Sequence, residues 1–138
     1  MVDTLTKAER SARMARVRGK DTSPELFVRK LVHRLGFRYR LHVGKLAGRP
    51  DLVFGKRRKV IFVHGCFWHR HGDPGCKLAR LPKSRLEYWV PKLEANASRD
   101  RANQLKLERE GWGCLVIWEC ELKDRRSLEA RIKAFLGT

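Results

Sequence analysis

Two apolar runs of this chain end in residues that can do chemistry. Arg49-Pro50-Asp51-Leu52-Val53-Phe54 places a carboxylate at the head of the first, and Val60-Ile61-Phe62-Val63-His64-Gly65-Cys66-Phe67-Trp68-His69-Arg70-His71 places three imidazoles at and beyond the end of the second. Gly55-Lys56-Arg57-Arg58-Lys59 between them reads as a hairpin loop. Pairing Phe54 with Val60 in an antiparallel ribbon sets Asp51 opposite Val63, beside His64. A carboxylate offers the oxygen donors that a hard cation such as Mg2+ takes. An imidazole moves protons near neutral pH. Together they are suited to metal-assisted attack on a phosphate. The plainer alternatives are a solvated turn acid or cap at Asp51 and purely structural histidines.

A second set of donors overlaps the first. Cys66-x4-His71-x4-Cys76 puts two thiolates and an imidazole in one irregular loop, and Cys120 follows the last apolar run. If the strands ending at His64 and Trp118 are parallel neighbours, Cys66 and Cys120 leave the sheet at the same edge. Four such donors around tetrahedral Zn2+ form a closed, structural site. Spacing leaves open whether His69 or His71 completes it, and unrelated buried thiols are the alternative. Cys114, inside an apolar run, reads as a core residue. Phe67, Trp68 and Trp89 are aromatics on a basic chain, able to wedge between base steps or to cover the zinc loop. Trp112 and Trp118 read as core.

The composition says what such a site would meet. The chain has 138 residues, enough for one domain with a real core. Hydrophobic residues make up 42%, which excludes a disordered composition. A formal charge of +17 and a pI near 10.6 call for a polyanionic partner, nucleic acid first and an anionic membrane second. No run reaches the roughly 18 apolar residues of a membrane span, and the N-terminus lacks the apolar core of a secretion signal. The expectation is a soluble, intracellular protein, in which cysteines serve as metal ligands or core residues rather than disulfides.

The elements that must position these groups are legible in outline. Residues 6–18 read as a short basic helix within an N-terminal arm, 1–20, and 21–138 as a single domain. Thr22 or Ser23 can cap a helix that Pro24 and Glu25 suit in its first turn. Phe27, Val28, Leu31, Val32 and Leu35 mark its inner face, and Gly36 stops it. Phe37, Tyr39, Leu41 and Val43 alternate with Arg38, Arg40 and His42 as a half-buried strand. The hairpin 51–54 and 60–64 follows, then a long loop to about Pro82. Ser84-x-x-Glu87 reads as a capping box opening a helix that runs to Gly111, with a kink available at Pro91. Cys114-Leu115-Val116-Ile117-Trp118 is a continuous apolar run, the pattern of a central, two-sided strand. It is expected to lie parallel to strand 60–64 through a right-handed crossover. Leu128, Ile132, Phe135 and Leu136 mark a terminal amphipathic helix.

With those residues in place, the chain resembles the very-short-patch-repair DNA mismatch endonucleases along almost its whole length. The resemblance is carried by Thr6-Lys7-Ala8, Arg10-Ser11, Met14, Asp21-Thr22, Glu25, Gly48-Arg49-Pro50-Asp51, Val60 through His69, Arg99-Asp100, Gly111-Trp112 and Val116-Ile117-Trp118-Glu119-Cys120. It implies a restriction-endonuclease-like α/β fold, a mixed central sheet flanked by helices with a structural zinc site. It also implies Mg2+-dependent nicking of double-stranded DNA on the 5′ side of the thymine in a T·G mismatch. Such mismatches arise by deamination of 5-methylcytosine, so the family works beside a cytosine-5 DNA methyltransferase. By position, Asp51 matches the metal-binding aspartate, with the Val63 backbone carbonyl beside it. His64 and His69 match the catalytic histidines, and Glu25 and Asp100 the supporting acids. Cys66, His71, Cys76 and Cys120 match the zinc ligands, which favours His71 over His69. Phe67, Trp68 and Trp89 match the intercalating aromatics, and Met14, Lys92 and Asn96 the mismatch contacts. A single nick needs one active site, so a monomer acting on nucleoid DNA in the cytoplasm is expected.

Two departures stand out. Val63-His64-Gly65 replaces the second acid and lysine of ordinary nucleases of this fold, which moves proton transfer to histidine. Val63 also stands where well-known members carry Thr, so only a role through the backbone carbonyl survives. The alternatives are a non-catalytic zinc-stabilised nucleic-acid-binding module, or a restriction-type or structure-specific nickase with another target.

Overall fold

The computed structural model describes residues 22–72 and 75–137; Met14 and the arm 1–20 lie outside them. The elements are α1 (Ser23–Arg34), β1 (Arg40–Leu41), β2 (Leu52–Phe54), β3 (Lys59–His64), α2 (Leu86–Arg109), β4 (Gly113–Trp118) and α3 (Arg125–Leu136), with short 3-10 turns at Lys77–Ala79 and Glu119–Lys123. The four strands form one mixed sheet in the order β1-β2-β3-β4, antiparallel except for the parallel pair β3 and β4. Val28, Leu31 and Val32 of α1 and Leu128, Ile132 and Leu136 of α3 pack with Leu52, Ile61 and Ile117 on one side. Leu107 of α2 packs with Val53, Val60 and Phe62 on the other. This is a mixed α/β fold of three layers.

Local chemistry sets the helix ends. Thr22 Oγ1 accepts the Glu25 N–H at 3.4 Å, satisfying one free donor of α1. Asp124 does the same for Ser127 at 3.2 Å at the head of α3. Gly111, at φ 90°, supplies the left-handed residue that closes α2. The basic hairpin serves the other ends. Arg57 donates to the Leu136 carbonyl at 2.9 Å, Lys59 to that of Phe135 at 2.5 Å, and Arg58 to that of Glu110 at 2.7 Å. Cations at the last carbonyls oppose the negative end of each helix dipole.

Several expectations are corrected. The hairpin register is shifted by one: Phe54 pairs with Lys59 and Val53 with Val60. The turn holds four residues, Gly55–Arg58, because Arg58 adopts φ 52° and closes it by donating to the Gly55 carbonyl at 3.2 Å. Lys59 therefore enters the strand. Strand 37–43 shrinks to Arg40–Leu41, because His42 turns left-handed at φ 45° and ends the pairing. Phe27 is 36% exposed, since the inner stripe of α1 begins with buried Glu25 instead. The capping box does not form. Arg85, at φ 59°, takes the cap position without a side-chain bond and leaves Ser84 outside the helix. Finally, among the described residues β4 is an edge strand, not a central one. Its unbroken apolar run reflects burial on both faces, with Cys114 and Val116 toward α2 and Leu115 and Ile117 toward α1 and α3.

The role of α2 in the second layer is measurable. Leu107→Ala, at a fully buried site, is expected to cost about 2–5 kcal/mol in urea denaturation. Leu105→Ala, at a site 52% exposed, is expected to cost less than about 0.5 kcal/mol.

Candidate active site and metal-ligating cluster

The end of β3 is where the catalytic candidates meet. Gly48 allows the chain into it: at φ 75°, a Cβ there would lie 3.0 Å from that of Asn103. The Gly48-Arg49-Pro50 turn then delivers Asp51, whose Oδ2 accepts the Val63 N–H at 2.6 Å. The carboxylate thus reaches Val63 despite the shifted register. Burial raises the Asp51 pKa above its ordinary value, opposed by the Val63 N–H and by His42, His69 and Arg29.

His64 ends β3 and is 4% exposed. Its ring stacks on His69 at 3.9 Å with planes 4° apart, and meets the edge of Trp118 at 5.1 Å. Its Nδ1 is buried with no hydrogen-bond partner among the described residues. Burial lowers its pKa to about 3, reinforced by neighbouring His69 and only partly offset by Asp100. His69 is held differently. Its N–H donates to the Gly65 carbonyl at 3.1 Å, and its Nδ1 donates to Asp100 Oδ2 at 2.6 Å. With Nδ1 so engaged, Nε2 carries the lone pair, the arrangement of a general base oriented by an acid.

The soft donors converge as a separate group. One ligand atom from each of Cys66, His71, Cys76 and Cys120 lies within 4.8 Å of the others. The parallel register His64↔Trp118 brings Cys66 and Cys120 to one sheet end, where the Cys120 N–H donates to Cys66 Sγ at 3.4 Å. His71 Nδ1 is 3.5 Å from Cys120 Sγ, and its ring stacks on Trp118 at 4.2 Å. Burial pushes the Cys66 thiol far up. At Cys76 burial acts the same way but is outweighed by hydrogen bonds with His71 and Cys66, which bring it down to about 7. Donors bonded to a tetrahedral ion at about 2.0–2.3 Å lie roughly 3.3–3.8 Å apart, so three thiols and an imidazole in this space fit Zn2+. His69 is committed to Asp100 and does not belong to this group. Cys114 also stands apart, its thiol raised to about 11 by burial and by Glu108.

One stripe of α2 serves both regions. Trp89, Lys92, Asn96 and Asp100 follow at three- and four-residue steps, the spacing of one helix face. Trp89 meets Phe67 at 5.4 Å and Trp68 at 6.0 Å, and these two meet each other at 5.1 Å. Lys92 donates to the Tyr88 hydroxyl at 3.1 Å, and Asn96 to the Trp68 carbonyl at 3.0 Å. Trp118, expected in the core, instead stands between the two sites. Sequence reasoning also missed His42, whose Nε2 lies 3.1 Å from Glu25 and 3.7 Å from Asp51. Its place in the alternation pointed to solvent, and only the left-handed turn at His42 reverses it.

Its sequence relatives show this chain to be a DNA endonuclease, with strand-nicking enzymes among them. Residues 2–74 match the family model described as DNA mismatch endonuclease Vsr. The chain is 52% identical over 136 residues to the type II nicking enzyme V.XorIIP of Xanthomonas oryzae pv. oryzae, covering 99% of this chain and 98% of that one. It is 40% identical over 128 residues to DNA mismatch endonuclease Vsr of Escherichia coli, covering 93% and 80%. The catalytic domain of homing endonuclease I-Bth0305I shares the fold, with TM-score 0.57 and 19% identity over 83% of this chain and 94% of that one. The chain belongs to the Vsr family. The reading as a non-catalytic binding module gives way to these findings. Among the described residues, no helix is long and apolar enough to cross a membrane.

Two outcomes check this geometry. Cys120→Ser should lower bound zinc, measured by elemental analysis, together with the melting temperature, because binding at such a site is folding free energy. A wild-type protein that holds no zinc removes the metal role. For His64, the unfolded ring protonates near 6.5 and the folded ring near 3. The unfolded chain therefore binds more protons between these values, and the contribution to stability is complete above about pH 6.5 and declines as pH falls toward 3. In urea titrations from pH 6.5 to 4.5, wild type should lose stability more steeply than His64→Gln, by up to about 1.4 kcal/mol per pH unit.

Proposed function

We propose that this protein nicks one strand of double-stranded DNA on the 5′ side of the thymine in a T·G mismatch, opening very short patch repair of deaminated 5-methylcytosine. The observation that carries the reading is the His69–Asp100 pair stacked against His64 and charge-coupled to Asp51. The oxygen donors at Asp51 suit Mg2+, which when bound stabilises charge at the scissile phosphate. In an antiparallel ribbon a residue's N–H and C=O face the same neighbour. The Val63 carbonyl therefore shares the edge on which its N–H meets Asp51, and it can be a second oxygen ligand. His69, oriented by Asp100, takes the proton of the attacking water at Nε2. His64 is neutral at working pH, and its ring, stacked on His69, assists at the phosphate or leaving group. Glu25 supports Asp51 through His42.

Selectivity rests on the aromatic group. Phe67, Trp68 and Trp89 insert beside the mismatch, where stacking is already weak and unstacking costs least. Asn96 pins the loop that carries Trp68, and Lys92 sits among the aromatics as a cation for phosphate. The remaining positive charge supplies affinity without sequence, so binding falls steeply with salt. Cys66, His71, Cys76 and Cys120 would hold Zn2+, which would fix the loop that presents His69, Phe67 and Trp68. The names of the relatives, a mismatch endonuclease and type II nicking enzymes, support action on DNA; a partnership with a cytosine-5 methyltransferase and action on the nucleoid as a monomer complete the proposal.

Strand-resolved cleavage of T·G and T·A duplexes with and without Mg2+ tests the reading. Nicking should be confined to the thymine strand of T·G and should require Mg2+. His69→Ala should lose about 10²–10⁴-fold in single-turnover rate with DNA binding retained, and Asp51→Asn should bind without nicking. Equal nicking of T·A would redirect the proposal to a nickase with another target.

A further inference from the structure

Asp51 belongs to a second group besides the histidine stack: Glu25 of α1, His42 just past β1 and Asp51 each offer a ligand atom within 4.8 Å of the others. His42 reaches this group through its backbone. A left-handed conformation is uncommon outside glycine, though histidine is among the residues enriched there. At φ 45° it takes His42 out of the alternation that leaves Arg38 and Arg40 exposed. Nε2 then lies 3.1 Å from Glu25 Oε1 and 3.7 Å from Asp51 Oδ1.

Each carboxylate has a distinct set of partners. Glu25 is 2% exposed and is paired with Arg29, one helical turn on, as well as with His42. A carboxylate buried so far needs such pairing to persist. Asp51 spends Oδ2 on the Val63 N–H, so Oδ1 is the oxygen that faces His42. Two carboxylates this close repel, and His42 Nε2 stands between them, hydrogen-bonded to Glu25 and within ion-pair distance of Asp51.

We propose that His42 is a positioning residue: anchored by buried Glu25, it fixes the Asp51 carboxylate in the orientation that presents oxygen to a divalent cation, resting on the reading of Asp51 as a cation ligand. Outer partners that orient a ligating carboxylate commonly carry about 10–100-fold of the metal affinity. The requirement is for a nitrogen at the Nε2 position, not for a ring.

The test measures Mn2+ binding to the DNA-free protein by electron paramagnetic resonance, alongside the Mg2+ concentration that half-saturates nicking. His42→Phe keeps a ring and removes both nitrogens; His42→Gln keeps an amide nitrogen near Nε2. His42→Phe should weaken Mn2+ binding and raise the half-saturating Mg2+ concentration by about tenfold or more, while His42→Gln stays within about threefold of wild type. His42→Ala provides the same comparison where the Phe ring does not fit. A Phe or Ala variant that binds Mn2+ as wild type does would overturn the proposal. Asp51→Asn separates the two readings. If it loses Mn2+ while His42→Phe is unchanged, only the role of His42 falls; if it keeps Mn2+, Asp51 itself is not the ligand.

Discussion

Parallel pairing of β3 with β4 is the constraint on which the rest of this structure depends. It sets His64 beside Trp118 and brings Cys66 and Cys120 out at one sheet end. It also requires a crossover, and the crossover is α2, which carries Asp100 to His69 and Trp89 to Phe67 and Trp68. The soft-donor cluster and the histidine–acid group are therefore two products of one strand pairing. They share the short turn from Gly65 to His71, so whatever fixes one fixes the other. Trp118 joins them physically, with His71 on its face and His64 at its edge.

The electrostatics divide by location. Although the chain carries +17, three of the four hairpin cations, Arg57, Arg58 and Lys59, are consumed in closing the ends of α2 and α3. They stabilise the fold more directly than they attract a ligand. Acids are scarce, yet Glu25, Asp51 and Asp100 are all drawn to the end of the β2–β3 ribbon. A local negative site within a positive surface is electrostatically suited to a cation.

Much of this was legible in the sequence, for identifiable reasons. Strong apolar periodicity announced α1, α3 and the parallel pair, and ligand spacing announced the cysteine cluster because such donors have few other uses together. The failures share a different origin. The one-residue slip in the hairpin, the lost cap at Ser84 and the early end of β1 all occur where Arg58, Arg85 or His42 adopts positive φ. Neither arginine nor histidine advertises that conformation as glycine does. β4 was misplaced because an apolar run reports burial on two faces, which a covered edge strand also has. His42 was invisible as a site residue because its pattern said strand and solvent, while its partner Glu25 read only as a first-turn acid. Trp118 looked like core because a tryptophan stacked on a histidine has the same sequence neighbours as one packed on leucine.

The stripe Trp89, Lys92, Asn96, Asp100 ties the aromatic cluster to the His69–Asp100 pair through helical phase. Each residue of an α-helix advances it by about 100° and 1.5 Å. A single insertion or deletion between Trp89 and Asp100 would leave both residues intact yet turn them to different sides of the cylinder. Length changes in this helix are therefore constrained to whole turns, and even those would displace the acid from its imidazole by about 5.4 Å. Substitutions on the rest of the α2 surface leave this phase intact, whereas a change in the number of residues between Trp89 and Asp100 does not.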